Sequence, residues 1–270
     1  MPVVHNFEES RENAAIPTRE DIVLIELNGL TKRYGPVTAV EDLTFSPAPG
    51  RVTGFVGANG AGKSTTMRML LGLTRPDSGT ATIDGKAYAE LRDPLRSIGA
   101  MVDSNVFHPK RSGRNALRVI GRIADVPDHR VDHVLALVGL TDAAARRVGG
   151  YSMGMRQRLA LAAALLGDPG TIVLDEPANG LDPHGVHWLR GLIRKLASEG
   201  RTVFVSSHLL AELAQTIDDV VIIAGGRLVT HEPMAGLLAR TNGASLEEIY
   251  LDLTRTTGAP SSHYDLEELT

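Results

Sequence analysis

Residues 57–64 read Gly57-Ala58-Asn59-Gly60-Ala61-Gly62-Lys63-Ser64, which fits the phosphate-binding pattern G-x-x-x-x-G-K-[ST]. The run before it, Arg51–Val56, has the β-branched, apolar character of a strand. The run after it, Ser64–Leu73, has helical spacing and stops at Arg75-Pro76. Strand, glycine loop and helix are the context the motif needs. The glycines let the backbone curl so that successive N–H groups point at phosphate oxygens, and the helix N-terminus adds the positive end of its dipole. Lys63 is placed to reach the β- and γ-phosphates, and the Ser64 hydroxyl to ligate Mg²⁺. The chain holds five Lys against 23 Arg. A compact ammonium kept at this position suits a point-charge contact better than the Arg fork would.

Working outward, Ile22–Leu27, Thr38–Phe45 and Thr80–Ile83 read as strands, the last followed by an Asp84-Gly85 hairpin turn. Alternating turns and Ala/Leu-rich runs, Ala116–Ala124 and Val131–Val138, predict an inserted helical subdomain over about residues 93–160. From Gly154 to Ile223 helices alternate with the apolar runs Thr171–Leu174, Thr202–Ser206 and Val220–Ile223. That alternation argues for an α/β fold with a largely parallel, helix-flanked sheet. Residues 22–240 form the expected domain. A mobile polar arm (1–21) precedes it, and a tail (241–270) with one helix, Leu246–Leu253, follows.

Composition narrows the function classes. The chain has 270 residues, 43% hydrophobic and 22% charged, enough for a normal buried core. The net charge of −4 offers no basic footprint for nucleic acid, and 4% aromatics offer no stacking surface for single strands. Without Cys there is no disulfide, Fe–S cluster or thiolate zinc site. The first residues lack an apolar core of the signal-peptide kind. The longest apolar stretch, Leu159–Leu166, is far below the roughly 20 residues that span a bilayer.

Two further segments carry chemistry. Ile172-Val173-Leu174-Asp175-Glu176-Pro177 is an apolar strand that ends in two acids. In open α/β sheets the carboxyl ends of the strands face the ligand. Asp175 is placed to hold Mg²⁺ through water, and Glu176 to orient or deprotonate the attacking water. Ser206-Ser207-His208 closes another apolar strand, so His208 reaches the same edge. A rival enzyme reading comes from Gly150-Tyr151-Ser152-Met153-Gly154, which matches the G-x-S-x-G elbow of α/β-hydrolases with Ser152 as nucleophile. An elbow needs a strand before it. Here Thr141–Gly149 is polar and Ala-rich, and Met155–Leu166 reads as a helix. A second helix N-terminus suited to an anion is the better reading.

Tyr151-Ser-Met-Gly-Met-Arg-Gln-Arg158, about 20 residues before Asp175-Glu176, resembles the signature motif of ABC transporter ATPases. The other parts of that family's pattern follow in order across residues 22–240. Tyr34 resembles the aromatic that stacks on adenine, residues 57–64 the Walker A motif, Ile172–Glu176 the Walker B motif, Asn179–Asp182 the D-loop, and His208 the switch histidine. The resemblance implies a P-loop NTPase with a RecA-like parallel-sheet core, a small antiparallel β subdomain and an inserted helical subdomain. It implies ATP contacts from Tyr34, Gly57, Ala58, Asn59, Gly60, Ala61, Gly62, Lys63, Ser64 and Thr65, with Glu176 and His208 catalytic. Mg²⁺ would be held by Ser64 and Asp175. In this family two ATPase domains pair head to tail, so Ser152, Met153, Gly154 and Met155 would meet ATP held on a second copy, with Asp182 in the D-loop nearby. One copy of each motif in the chain makes that second copy necessary. An integral membrane permease subunit docked near residues 100–130 would complete the machine, and the chain would lie in the cytoplasm against the inner face of the cell membrane.

This sequence leaves the family's common pattern twice. The usual signature is Leu-Ser-Gly-Gly-Gln; Ser152 and Gly154 match it, while Tyr151, Met153 and Met155 differ. The Q-loop glutamine is replaced by Asp103, a candidate Mg²⁺ ligand or a link to the membrane partner. Both departures resemble the subgroup that exports antibiotics, lantibiotics and drugs through separate membrane subunits. The alternatives are a soluble ABC ATPase acting on nucleic acid or ribosomes, and a regulatory partner that binds ATP with little hydrolysis. The chain has neither the long coiled coil nor the two cassettes those nucleic-acid classes carry, and Glu176 argues against the regulatory reading.

Overall fold

A computed structural model describes residues 24–103, 107–241 and 243–255. The predicted N-terminal arm and the end of the C-terminal tail lie outside the described residues. Two sheets organise the chain. The larger has the order β5(Ile98–Met101)-β6(Thr171–Leu174)-β7(Thr202–Ser207)-β3(Val52–Val56)-β8(Asp219–Ala224)-β9(Arg227–Pro233). Its neighbours pair parallel except for the antiparallel edge β8–β9. The smaller sheet is antiparallel, β2(Val37–Phe45)-β1(Ile25–Tyr34)-β4(Ser78–Ile83).

The four inner strands are apolar and buried along their length, as a parallel sheet covered on both faces requires. Side-chain alternation splits the core in two. Val52 and Val56 of β3 face one layer with Ile172, Val203 and Val205. Phe55 faces the other, where it meets Phe204 at 5.1 Å and Phe45 of the small sheet at 5.4 Å between ring centroids. The small sheet therefore closes over one face of the large one. The Asp84-Gly85 turn has positive φ at both positions (52° and 70°), the geometry of a tight hairpin.

The helical insertion is smaller at its start than the sequence predicts. Residues 98–101 form β5 and belong to the large sheet, paired parallel with β6. The run Ile98-Gly-Ala-Met hides as a strand because α5(Met153–Ala164) packs directly on it. A Cβ at Gly99 would lie 2.0 Å from the Ala164 carbonyl oxygen, so a β-branched residue has no room there. The helical region proper comprises α3(Gly113–Ile123) and α4(Asp128–Leu137), which pack on each other and on α5.

Candidate functional site

The phosphate loop runs from the end of β3 into α1(Lys63–Leu70). Gly62 caps that helix at φ 105°, and a Cβ there would lie 2.4 Å from the Ala39 carbonyl oxygen, so only glycine fits. The first turn is closed by Thr66 N–H to the Gly62 carbonyl. The amides of Lys63, Ser64 and Thr65 therefore point out of the helix N-terminus, where an anion can accept them. Gly60, at φ 81°, has open space where a side chain would be. Lys63 is buried and curls back, donating from Nζ to the carbonyls of Gly57 (2.7 Å) and Ala58 (3.3 Å).

β6 and β7 deliver the acids and the histidine to the same edge. Lys63 Nζ lies 3.5 Å from Glu176 Oε1. Glu176 Oε2 faces His208 Nδ1 at 2.7 Å and accepts the His208 backbone N–H at 3.2 Å. An ionised carboxylate only accepts, so Nδ1 carries the hydrogen of this contact. Ser206 Oγ stands between the two acids. It donates to Asp175 Oδ1 at 2.6 Å and accepts the Glu176 N–H at 2.9 Å. Glu176 itself sits in the left-handed region at φ 49°. A non-glycine residue held there costs on the order of 1–3 kcal/mol and persists where surrounding contacts over-determine it. Those contacts are Ser206, His208, Lys63 and Gln157, a residue that no local sequence pattern marks. Its Nε2 donates to the carbonyls of Glu176 (3.1 Å) and Pro177 (3.2 Å).

The remaining residues of interest sit around this cluster. Ser64 is exposed at the first turn of α1, and with the partly buried Asp175 it provides hard oxygen donors of the kind Mg²⁺ takes. Asp103 is exposed, two residues beyond β5, whose Met101 carbonyl accepts the Asp175 N–H at 2.7 Å. Tyr34 ends β1 with half its surface exposed, and Lys32 Nζ lies 5.4 Å from its ring centroid. Asp182 caps α6(Pro183–Ser198) by accepting the Gly185 N–H at 2.7 Å.

Ser152 caps α5 in the same way, accepting the Met155 N–H at 3.2 Å. Its hydroxyl and its carbonyl are both engaged within α5, by the Met155 and Arg156 N–H groups. The residues before it, Val148–Gly150, form a 3₁₀ turn and not the strand that a hydrolase elbow requires. Tyr151 is buried, and its phenol donates to the Ala143 carbonyl at 2.7 Å, which ties this turn to the helical region. The C-terminal helix α9(Leu246–Arg255) adds a contact from far along the chain. The Tyr250 hydroxyl accepts the Ala58 N–H of the phosphate loop at 2.8 Å.

Residues 40–179 match the family model described as ABC transporter. The chain is 39% identical over 248 residues to the bacitracin transport ATP-binding protein of Bacillus licheniformis, covering 91% of this chain and 81% of that one. It is 34% identical over 249 residues to the Nod factor export ATP-binding protein I of Ralstonia nicotianae, covering 88% and 76%. Among solved structures, the ATP-binding subunit of an ABC transporter superposes with a TM-score of 0.77 at 27% identity, over 85% of this chain and 99% of that one.

Proposed function

The chain belongs to the ABC transporter family, and we propose that it is an ATP-binding subunit that hydrolyses ATP and powers export of a peptide, antibiotic or drug-like molecule through a separate membrane subunit. The observation that carries the catalytic part is the meeting of Lys63, Asp175, Glu176 and His208 at one sheet edge beside a helix N-terminus. Residues 57–65 cradle the triphosphate, and Tyr34 stacks on the base. Lys63 exchanges the Gly57 and Ala58 carbonyls for phosphate oxygens. Ser64 and Asp175 would hold Mg²⁺, whose charge would offset that of the β- and γ-phosphates; Asp103 would add a carboxylate on the side of the membrane partner. Glu176 takes the proton of the attacking water, and His208 keeps Glu176 aimed by holding Oε2. Catalysis in such a site is mainly positioning and electrostatic stabilisation, so small shifts of these groups matter.

A complete site takes two chains. Ser152 and the amides at Gly154 engage ATP bound to a second copy, with Met153, Met155 and Asp182 at that interface. No helix among the described residues is long and apolar enough to cross a membrane; in this reading a separate permease carries the membrane pathway. That permease docks on the outer face of α3, at a groove of about 360 Å³ lined by Arg111, Asn115, Arg118, Val119 and Arg122. Ile123, 82% exposed, follows Arg122 at the end of the same helix. The subunit then lies on the cytoplasmic face of the membrane.

The test is Glu176→Gln with Mg-ATP, followed by size exclusion and phosphate release. Tight ATP binding, a stable dimer and lost turnover are expected. Normal hydrolysis by this variant removes Glu176 from the catalytic role.

A further inference from the structure

We propose that Gln157 is a positioning residue that ties the Ser152-bearing helix to the catalytic turn at Glu176 of the same chain. The inference rests on the role given to Glu176 above. Gln157 lies just over one turn into α5 and is only 6% exposed. Its side-chain amide has two N–H groups, so both carbonyls at 3.1 and 3.2 Å, those of Glu176 and Pro177, can be satisfied together. These two carbonyls follow the Cα of the residue held at φ 49°. The peptide N–H on the other side of that Cα is bound to Ser206 Oγ. The strained residue is therefore pinned from β7 on one side and from α5 on the other, and Gln157 supplies the second pin.

The same helix touches the catalytic strand's continuation at its N-terminus. The Met153 side chain packs over Gly180, where a Cβ would lie 2.5 Å from Met153 Sδ. Gly154 comes close to the Gly180 carbonyl, 3.3 Å from a Cβ built on it. Residues 176–180 thus meet α5 at two places one helical turn apart, one polar and one packed. When Ser152 takes up phosphate on the other copy, α5 is the body that feels it, and Gln157 is the side chain that passes a displacement to the Glu176 backbone. Gln157 aims Glu176 without touching nucleotide. Its loss should act on the chemical step and spare the binding of ATP and the formation of the dimer.

The experiment uses the full chain. Gln157→Met keeps the length and helix preference of the side chain and removes both donors. Gln157→Glu keeps the shape and turns an acceptor toward the two carbonyls. Phosphate release, nucleotide affinity and size exclusion with Mg-ATP are measured for both, beside Glu176→Gln. The expected result is a fall in kcat of at least tenfold in each, ATP affinity within threefold of wild type, and ATP-bound dimers that persist as they do with Glu176→Gln. Equal loss of affinity and kcat in the Gln157→Glu protein would overturn the proposal, since that is what a packing residue gives. So would wild-type turnover in either variant. If Gln157→Met fails to fold, the Gln157→Glu values decide by the same limits. Normal turnover in Glu176→Gln would instead sink the assignment of Glu176, whatever the Gln157 variants do.

Discussion

His208 Nδ1 lies 2.7 Å from Glu176 Oε2, and the His208 backbone N–H donates to the same oxygen at 3.2 Å. One end of the carboxylate is thus held twice by a residue from the next strand. The other end, Oε1, faces Lys63 at 3.5 Å. Replacing His208 with Ala leaves the backbone donor and removes the ring. Glu176 then keeps its place in the turn but loses its aim. Turnover should fall by about 10²-fold or more, the scale of a positioned acid–base group, while nucleotide affinity stays within a few-fold. Phosphate release beside a nucleotide titration reads both. A His208→Ala protein with the wild-type kcat would show that the ring has no part in the step.

Ser152 caps α5 with its side chain exposed, and its hydroxyl accepts the Met155 N–H within the same helix. The proposal that sites are shared between copies accounts for that placement. Homodimers of Lys63→Ala or of Ser152→Arg should each be inactive. In a mixed dimer both defects fall in one site, and the other site is whole. Mixing the two inactive proteins should therefore restore part of the wild-type ATPase rate. A mixture as inactive as its parents would place Ser152 outside the composite site.

The parts of this molecule that were readable in advance are those where chemistry demands a residue type at a fixed spacing. A phosphate cradle needs glycines and one ammonium before a helix, so 57–64 announces itself. Acids and a histidine after apolar runs mark strand ends, and β6 and β7 indeed bring Asp175, Glu176 and His208 to the Lys63 edge. What was missed has a physical reason in each case. β5 reads as part of the helical insertion because the approach of α5 forces glycine into the strand at position 99. β1 extends to Tyr34 through register irregularities opposite β2 that break its alternation. Gln157 and Tyr250 act through contacts 19 and 192 positions away in the chain, and no local pattern encodes a partner at that distance.

Tyr250 offers an isosteric test of one such contact. Its hydroxyl holds the Ala58 amide at the entrance to the phosphate loop, from a helix that also packs against α7(Leu210–Ala214), just after His208. Tyr250→Phe removes one oxygen and keeps the ring's packing. A net hydrogen bond is worth roughly 0.5–1.5 kcal/mol, and Ala58 is exposed, so water takes over part of it. The Michaelis constant for ATP should rise about two- to fivefold, at the low end of what that energy allows, with kcat within twofold. A Michaelis constant unchanged from wild type would mean that the loop is preformed without this helix.

Asp168 tests the electrostatics beneath the same sheet. It follows α5 and sits at φ 57°, with Oδ1 2.8 Å from an Arg130 nitrogen and 2.9 Å from Arg201. Arg130 comes from α4 and also donates to the Leu165 and Leu166 carbonyls. Arg201 immediately precedes β7 and is within hydrogen-bonding distance of the Pro169 carbonyl. The three charges therefore clamp the α5–β6 connection, just behind the strand that carries Asp175 and Glu176. Burial works against the carboxylate, but the Arg201 and Arg130 guanidiniums outweigh it and hold the Asp168 carboxyl below its ordinary 3.8. A depressed folded value means stability that is fully present above the unfolded value and is lost as pH falls through the folded one. The side chain is 59% exposed, so solvent screens the pair and the contribution is modest, about 1 kcal/mol or less. Asp168→Asn removes the charge while keeping a residue that tolerates the left-handed backbone. At pH 7 the variant should melt about 2–4 °C below wild type. The gap should shrink with added salt and narrow as pH falls below about 3.8, because wild type then progressively loses what the variant never had. Thermal melts at four pH values read the effect. A gap of constant size from pH 7 to 3 would assign the loss to packing and not to the carboxylate's charge.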